Sequence, residues 1–324
     1  MINKKELDIF KKVKCNEKIR PIINKILINN NKITATDLTT TIISNTKTNI
    51  AGVFDIDQIL YNSYEKSDDN VEDYPIINQK NYDNMLSIDK KQLLDLLEVH
   101  FASEKIGENE AINSVFISCK DNIISFVSSD SYRIMKKEIK VNNTLNFSCN
   151  IPLKTIKILI DVLKLNKKDE DIIIAFDNNN IEFTIDNIII ISRLILLCFP
   201  DFANIYEQYS YNKTLIFDKK EIELVLKNIK EISKKNHHKY GFLIESICNN
   251  ISFKANNDIV VIDEKIECTK FNTQNDFSIN LNCNFILQYI KQSKKNKIKF
   301  ELDEKENVVL IDDCYLMIAI MKKN

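Results

Sequence analysis

The chain has 324 residues, longer than one hydrophobic core usually serves, so its length points to roughly two or three domains. Hydrophobic residues make up 44% of it and charged residues 28%, which excludes a disordered chain and predicts a globular protein with several cores. A formal net charge of -1 excludes tight nucleic-acid binding by bulk basicity and leaves room only for a local basic face.

Residues 1–20 alternate Lys, Glu and Asp with isolated apolar positions and contain no apolar run of the kind a secretory signal needs, so a cytosolic protein is expected. Within them Lys4-Lys5-Glu6-Leu7 opens an amphipathic helix. The motif returns as Lys90-Lys91-Gln92-Leu93 and as Lys219-Lys220-Glu221-Ile222, and three copies argue for internal duplication. In the second copy Leu93, Leu94, Leu96 and Leu97 fall at helical spacing, and in the third Ile222, Leu224, Val225 and Ile229 do the same. Each helix therefore has one apolar face.

A strand closed by Asp follows each of these helices: Asn31 to Asp37, Asn122 to Asp130 and Asn250 to Asp258, with apolar and small polar residues alternating between turn formers. A second helix comes next in each copy, at Ile56 to Tyr64, Leu153 to Leu165 and Asn284 to Gln292. In the middle one Ile156, Leu159, Ile160 and Leu163 form a stripe, with Lys154, Lys157, Lys164 and Lys167 largely off it. Further strands are predicted at Asp171 to Phe176, Ile181 to Ile185 and Ile188 to Leu196. The fold class is α+β, three repeated domains of two helices packed on antiparallel sheet. Polar stretches near Gln79 to Asn84 and Glu207 to Asn212 place the domains at 1–84, 85–210 and 211–324.

Nothing in the sequence supports catalysis. Gly52, Gly107 and Gly241 are too dispersed for a phosphate-binding loop, which needs clustered glycines so that backbone N–H groups reach the phosphates. His100, His237 and His238 show no metal-ligand or nucleophile-base spacing, and the adjacent pair reads as a solvated loop. Cys15, Cys119, Cys149, Cys198, Cys248, Cys268, Cys283 and Cys314 are scattered singly and read as reduced, mostly buried small hydrophobes. No catalytic residue, metal or cofactor is expected. The longest apolar stretch, Ile188 to Phe199, is broken by Ser192 and Arg193 and is far shorter than the roughly 20 residues that cross a bilayer, so no membrane partner is expected.

Four strings in order resemble one family over nearly the whole chain. Arg20-Pro21-Ile22-Ile23-Asn24-Lys25-Ile26-Leu27-Ile28 with Ala35-Thr36-Asp37-Leu38 resembles its Pro-Ile-Leu segment and Thr-Asp-Leu turn. Ser129-Asp130-Ser131-Tyr132-Arg133-Ile134 resembles Thr-Asp-Gly-His-Arg-Leu, Phe199-Pro200-Asp201-Phe202 resembles Phe-Pro-Asp-Tyr, and Tyr315 to Met321 resembles the apolar C-terminal strand. The family is the bacterial DNA polymerase III β subunit, the β sliding clamp.

The resemblance implies a non-catalytic processivity factor, a ring that encircles double-stranded DNA by shape and charge without base readout. It implies tethering of a replicative DNA polymerase, a clamp loader and repair factors through an apolar cleft between domains two and three, which captures short peptides with Leu and Phe anchors. Carried over position by position, that cleft takes Ile112, Ser129, Tyr132, Arg133, Ile134, Pro200, Ile205, Leu316, Ile318 and Ile320. Candidate DNA-facing residues are Lys11, Lys12, Lys154, Lys157, Lys227 and Lys230, of which Lys154 matches a basic family position. A head-to-tail homodimer is expected.

The sequence departs from the family pattern in several places. Ser131-Tyr132 stands for Gly-His, Asn204 for an Arg and Ala319 for a Pro, and Lys322, Lys323 and Asn324 extend the C-terminus. From the helix ending near Tyr64 the chain runs through Ser67-Asp68-Asp69-Asn70 straight to Asp73-Tyr74-Pro75. Domain one is therefore expected to lack about two strands, among them the one that in the family pairs with domain three of the next subunit. A second reading follows, a clamp-like monomer that binds partner peptides and does not encircle DNA.

Overall fold

A computed structural model describes residues 4–13, 20–48, 50–60, 66–77, 82, 84–103, 109–142, 145–234, 240–247, 250–257, 260–268, 270–272, 276–303, 305, 307–312 and 316–321. Outside the described residues lie the end of the expected helix at Tyr64, most of the Gln79 to Asn84 boundary, Gly107, His237, His238, Cys15, Cys248, Cys314, Asp258, Tyr315 and the terminal Lys322, Lys323 and Asn324.

The first repeat runs α1 (Lys4–Val13), β1 (Ile26–Asn29), β2 (Lys32–Thr36), β3 (Thr40–Asn45), β4 (Gly52–Phe54) and α2 (Ile56–Leu60). The second runs β5 (Asn84–Asp89), α3 (Lys90–Leu97), β6 (Ser114–Lys120), β7 (Ile123–Ser129), β8 (Arg133–Lys140), β9 (Phe147–Pro152), α4 (Leu153–Leu165), β10 (Asp171–Phe176), β11 (Asn180–Ile185) and β12 (Ile188–Arg193). After α5 (Phe202–Glu207) the third runs β13 (Tyr211–Asp218), α6 (Lys219–Ser233), β14 (Gly241–Ile247), β15 (Asn250–Asn256), β16 (Val261–Lys265), β17 (Lys270–Asn272) and β18 (Phe277–Asn282). It ends with α7 (Cys283–Gln292), β19 (Lys297–Asp303), β20 (Val308–Ile311) and β21 (Leu316–Ala319). The fold is α+β with antiparallel sheets, as the periodicity predicts. Strand β12 stops short of the expected Leu196: its ladder with β11 ends at Arg193, and Leu196 and Leu197 are exposed.

The Lys-Lys motif has a physical cause that its helical pattern hides. Asp89 and Asp218 precede the second and third copies and cap the helices, Asp89 accepting from the Lys91 and Gln92 N–H groups and Asp218 from those of Lys220 and Glu221. The first Lys of each motif then reaches across the repeat. Lys90 donates to the carbonyls of Asn166 and Lys168 just beyond α4, and Lys219 to that of Ser293 just beyond α7, where the helix dipole is negative. The hairpins β1–β2 and β6–β7 turn through Asn30-Asn31 and Asp121-Asn122, all four at positive φ, the conformation of primed two-residue turns that Asn and Asp tolerate.

The chain divides into two compact units. The first comprises Met1–His100, Lys105–Phe126 and Glu138–Phe199. Its eight-stranded sheet has the order β4-β1-β2-β3-β12-β11-β10-β5, so first-repeat and second-repeat strands join at β3 and β12, from Thr40 opposite Ser192 to Ser44 opposite Ile188. Ile28, Ile42, Phe183 and Ile190 are fully buried on one face of it, and α1 packs on β2 and β3 and against α4. A buried hydroxyl chain crosses the junction, Thr40 Oγ1 to Thr155 Oγ1 (2.7 Å) and Thr155 Oγ1 to Ser192 Oγ (2.8 Å). Each hydroxyl is thereby satisfied away from water. On the opposite face Tyr74 packs with Leu27 and Val53 and donates to the Lys25 carbonyl (2.9 Å), while the Lys25 ammonium holds Asp69 and Ser67.

The second unit comprises Phe101–Glu104, Val127–Lys137 and Pro200–Asn324. One of its sheets runs β17-β13-β19-β20-β21-β8 and the other β16-β15-β14-β18. Phe217 meets Phe253 and Phe300 edge-on, both at 5.5 Å between ring centroids, and all three are fully buried.

An isolated bridge marks the same point in every repeat: Phe54 with Lys66, Asn150 with Ile195, Asn280 with Met321. Each joins the strand before the second helix to a later residue. Between second helix and bridge residue lie 29 residues in the second repeat (166–194) and 28 in the third (293–320), and these hold β10–β12 and β19–β21. The first repeat has five, 61–65. Five residues are about one strand's length, so the shortening expected from the sequence falls on this set of three strands.

Candidate functional site

Two aspartate turns organise the residues singled out from the sequence. In the first unit Asp37 Oδ1 accepts from the N–H groups of Thr39 (2.9 Å) and Thr40 (2.6 Å), and Leu38 takes φ +72°. In the second unit Asp130 Oδ1 accepts from Tyr132 (3.2 Å) and Arg133 (3.1 Å), and Ser131 takes φ +70°. The residue before each Asp completes the device, Thr36 Oγ1 accepting from Leu38 N–H and Ser129 Oγ from Ser131 N–H, both at 3.1 Å. Ser131 stands where the family string has Gly, and its positive φ gives that Gly a reason.

Arg133 is 6% exposed and every arm of its guanidinium is engaged. Nε donates to Asp130 Oδ2 (2.9 Å), Nη1 to Gln288 Oε1 (2.6 Å) and Nη2 to the Phe101 carbonyl (2.9 Å), and the group lies over the rings of Phe285 and Phe101 at 4.2 and 5.4 Å. Burial pushes its pKa down from the usual guanidinium range and Asp130 opposes the shift. The planar fork is what lets one side chain serve three acceptors between two rings.

Strand β21 pairs with β8, Ile318 opposite Arg133, Met317 opposite Ile134 and Leu316 opposite Met135. Opposite residues share a face and neighbours alternate, so Arg133, Leu316 and Ile318 point one way and Ile134 and Met317 the other. The bonds of Arg133 to α7 identify the first side as the helix-covered one. On the second side Met317 packs with Val308 and Leu310, and Ile205, Tyr206, Tyr209 and Tyr211 pack against them. The Tyr206 hydroxyl donates to the Ile134 carbonyl (3.4 Å), and the Lys136 ammonium lies 5.3 Å from the Tyr206 ring centroid.

The structure therefore does not bring all ten implied cleft residues to one surface. Tyr132 and Pro200 are exposed and Ile205 and Ile320 half-buried, while Ile134 is nearly enclosed on the α5 side. Leu316 and Ile318 are fully buried on the helix side, Ser129 is buried with its hydroxyl donating to the Arg133 carbonyl (2.9 Å), and Ile112 is buried within the first unit. Sequence reasoning missed Met317, Tyr206 and Lys136. Strand alternation would have separated 317 from 316 and 318, and the Asp201 cap on Asn204 N–H marks the start of α5, which carries Tyr206.

Of the basic candidates, Lys11, Lys12, Lys154 and Lys157 belong to the first unit and Lys227 and Lys230 to the second. Lys11 pairs with Asp57 (2.7 Å), Lys12 with Asp161, Lys154 with Asp37 and Lys227 with Glu223 (2.6 Å); Lys230 donates to Asn284 Oδ1 (2.8 Å). Lys157 is exposed on α4. Exposed pairs of this kind contribute about 0–1 kcal/mol each and exchange readily for a phosphate. Lys154 is different, because Asp37 is nearly buried and is already the turn's cap.

Among the described residues no group of His, Cys, Asp and Glu is arranged to hold a metal, and no helix is long and apolar enough to cross a membrane. Burial pushes the Cys149 thiol up to about 12 and that of Cys283 up to about 11, so both stay protonated at neutral pH.

Repeats of two helices on antiparallel sheet, joined strand to strand, are the architecture of a DNA clamp. Residues 87–201 match the family of the DNA polymerase III beta subunit, central domain. A beta sliding clamp from Chlamydia trachomatis is 20% identical over 245 residues, 75% of this chain and 57% of that protein. The aligned segment spans 57 to 65% of three chlamydial relatives. Among solved structures, the DNA polymerase III beta subunit of Thermotoga maritima superposes with a TM-score of 0.87 at 18% identity, covering 99% of this chain and 97% of that one. The sliding clamp of Bacillus subtilis does so with 0.87 at 15%, with the same coverages. The likeness to beta sliding clamps read from the sequence is borne out, in the central segment by sequence and over the chain by fold.

Proposed function

We propose that this protein is a non-catalytic DNA polymerase processivity factor, in which domains 1–84, 85–210 and 211–324 contribute to a ring around duplex DNA. The observation that carries it is the clamp fold over the chain, with a central segment that matches the beta subunit family. Exposed Lys157 and the exchangeable pairs of Lys11, Lys12 and Lys227 suit weak, sequence-independent contact with phosphates. The α5 side of the β21–β8 junction, with Tyr132, Pro200, Ile205 and Ile320 accessible beside it, suits capture of a peptide with Leu and Phe anchors from a polymerase or a clamp loader. The proposed location is the cytoplasm.

Retention on circular DNA tests the ring. Protein loaded on closed circles is expected to stay bound and to be released when the circle is cut, whereas its affinity for short linear duplex is weak and falls steeply with salt. Release that is indifferent to cutting rejects encirclement. Ile320→Asp tests the peptide surface: the variant is expected to fold, by circular dichroism, and to lose about 2 kcal/mol or more of affinity for a Leu/Phe peptide because the carboxylate must be desolvated. Intact binding by a folded variant rejects the site.

A second reading is favoured by one observation, the five residues that stand where the other repeats hold three strands. On that reading the chain is a monomer that binds partner peptides without encircling DNA. The same observation weighs against the head-to-tail homodimer expected from the repeat, since a copy has no last strand in its first repeat to offer.

A further inference from the structure

We infer that the outer edge of β16 takes a strand from a second polypeptide that is not a copy of this chain; the inference rests on the clamp reading above. Within each compact unit, the third strand after one repeat's first helix carries the last strand of another repeat. In the first unit β3, third after α1, pairs antiparallel with β12, the last of the second repeat. In the second unit β8, third after α3, pairs with β21, the last of the third repeat. Strand β16 is the third after α6. It pairs with β15 from Ser252 opposite Lys265 to Asn256 opposite Val261, and among the described residues no strand lies on its other side. The rule that places β12 and β21 assigns this edge the last strand of a first repeat. That is the strand for which this chain has only residues 61–65.

The edge is suited to an incoming strand. Val261 is 74% exposed and Val260 43%, and β16 contains no proline. Its acidic groups are met from inside the unit, Asp263 by Lys254 (3.7 Å) and Glu264 by the Asn228 amide (3.1 Å). An exposed edge with apolar side chains is a template for strand addition. The occupants of the two equivalent positions, Ile188–Arg193 and Leu316–Ala319, set the chemistry of the missing one, a short aliphatic strand running antiparallel.

A copy of this chain is a poor supplier. Two β16 strands paired about a two-fold axis through Asp263 would set like charges directly opposite. The short edge strand β4 is already met by Lys66, whose side chain fills the space where a Cβ on Gly52 would sit.

The test uses the full chain and a peptide of residues 187–194, which copies β12 and its flanks. Light scattering is expected to give the mass of a monomer. Amide hydrogen exchange over 261–265 is expected to slow about tenfold on adding the peptide and not on adding one of scrambled order. Val261→Lys, which keeps the backbone edge, is expected to weaken the effect, and Ile262→Pro to abolish it. If the proline disturbs the sheet, the peptide dependence of the unaltered protein decides alone. A dimer whose β16 amides are protected without peptide overturns the inference, and so does a monomer whose exchange the peptide leaves unchanged. Failure of the clamp reading shows separately, as loss of retention on circular DNA with the exchange result intact.

Discussion

Asp37 and Asp130 hold the same turn in different surroundings. Each carboxylate takes two backbone N–H groups on one oxygen and a cation on the other, and each turn forces a non-glycine residue to positive φ. The cation of Asp37 is Lys154, whose side chain is 45% exposed; that of Asp130 is Arg133, whose side chain is 5% exposed. The turn itself is local chemistry, present wherever Thr or Ser precedes Asp in this frame. What the turn is worth depends on whether its cation faces water or is enclosed, because an enclosed charge cannot fall back on solvent when a partner is lost.

The largest expected effect breaks the enclosed case. Arg133→Ala leaves Asp130, the Gln288 amide oxygen and the Phe101 carbonyl without their donor, and a loss of about 3–5 kcal/mol is expected for the second unit. Arg133→Lys should restore little of it, since an ammonium cannot offer the planar fork that lies over two rings. Amide exchange of β21 and α7, compared between variants, measures this. A loss below about 1 kcal/mol would show that the buried network relaxes around the gap.

The exposed case gives a smaller effect with a sharper contrast. Lys154→Glu and Lys157→Glu remove the same charge from one helix, yet only the first sets a carboxylate against Asp37. Lys154→Glu is expected to lower the stability of the first unit by about 1–2 kcal/mol and Lys157→Glu by less than about 0.5. Lys157→Glu is therefore the cleaner probe of DNA contact. Equal stabilities in urea unfolding would mean that Lys154 does not hold the turn.

Much of this was legible in sequence. The three Lys-Lys helices, α4 over Leu153–Leu165, β10 over Asp171–Phe176 and the family strings all depend on periodicity and local turn chemistry, and they fall where expected. The direction of side chains around the site was not legible as a set. Arg133 and Ile134 are neighbours in the string but face opposite sides of a sheet, and Leu316 and Ile318 join Arg133 only through the β8–β21 register, a pairing between residues about 180 positions apart. The role of Lys90 and Lys219 as caps on a distant helix end was hidden for the same reason.

A pH dependence separates a third carboxylate from these two. Hydrogen bonds from Lys25 and Ser67, with the nearby Lys25 charge, hold Asp69 below its ordinary value of 3.8, against a smaller opposing effect of burial. A folded-state pKa below the unfolded one stabilises the fold above that range, and the stabilisation is lost as pH falls through the folded value. The first unit is therefore expected to lose stability on acidification below about pH 4, and Asp69→Asn to flatten that part of the curve. An unchanged curve in the variant would move the acid sensitivity to other carboxylates.

The smallest effect concerns the residue that each turn holds at positive φ. Ser131 has a Cβ in a region where only glycine is free of steric cost, about 1 kcal/mol, and Ser131→Gly relieves it. Glycine also makes the unfolded chain more flexible, which opposes the gain, so a net stabilisation of about 0.5 kcal/mol is expected in the second unit. Leu38→Gly removes a bulkier side chain from the matching position in the first unit and is expected to gain no less. Ser131→Val, branched at Cβ, should lose about 1–2 kcal/mol and serves as the control for strain. If Ser131→Gly destabilises while Leu38→Gly stabilises, the serine side chain contributes something at this turn that outweighs its backbone strain, and the two turns differ in more than the burial of their cations.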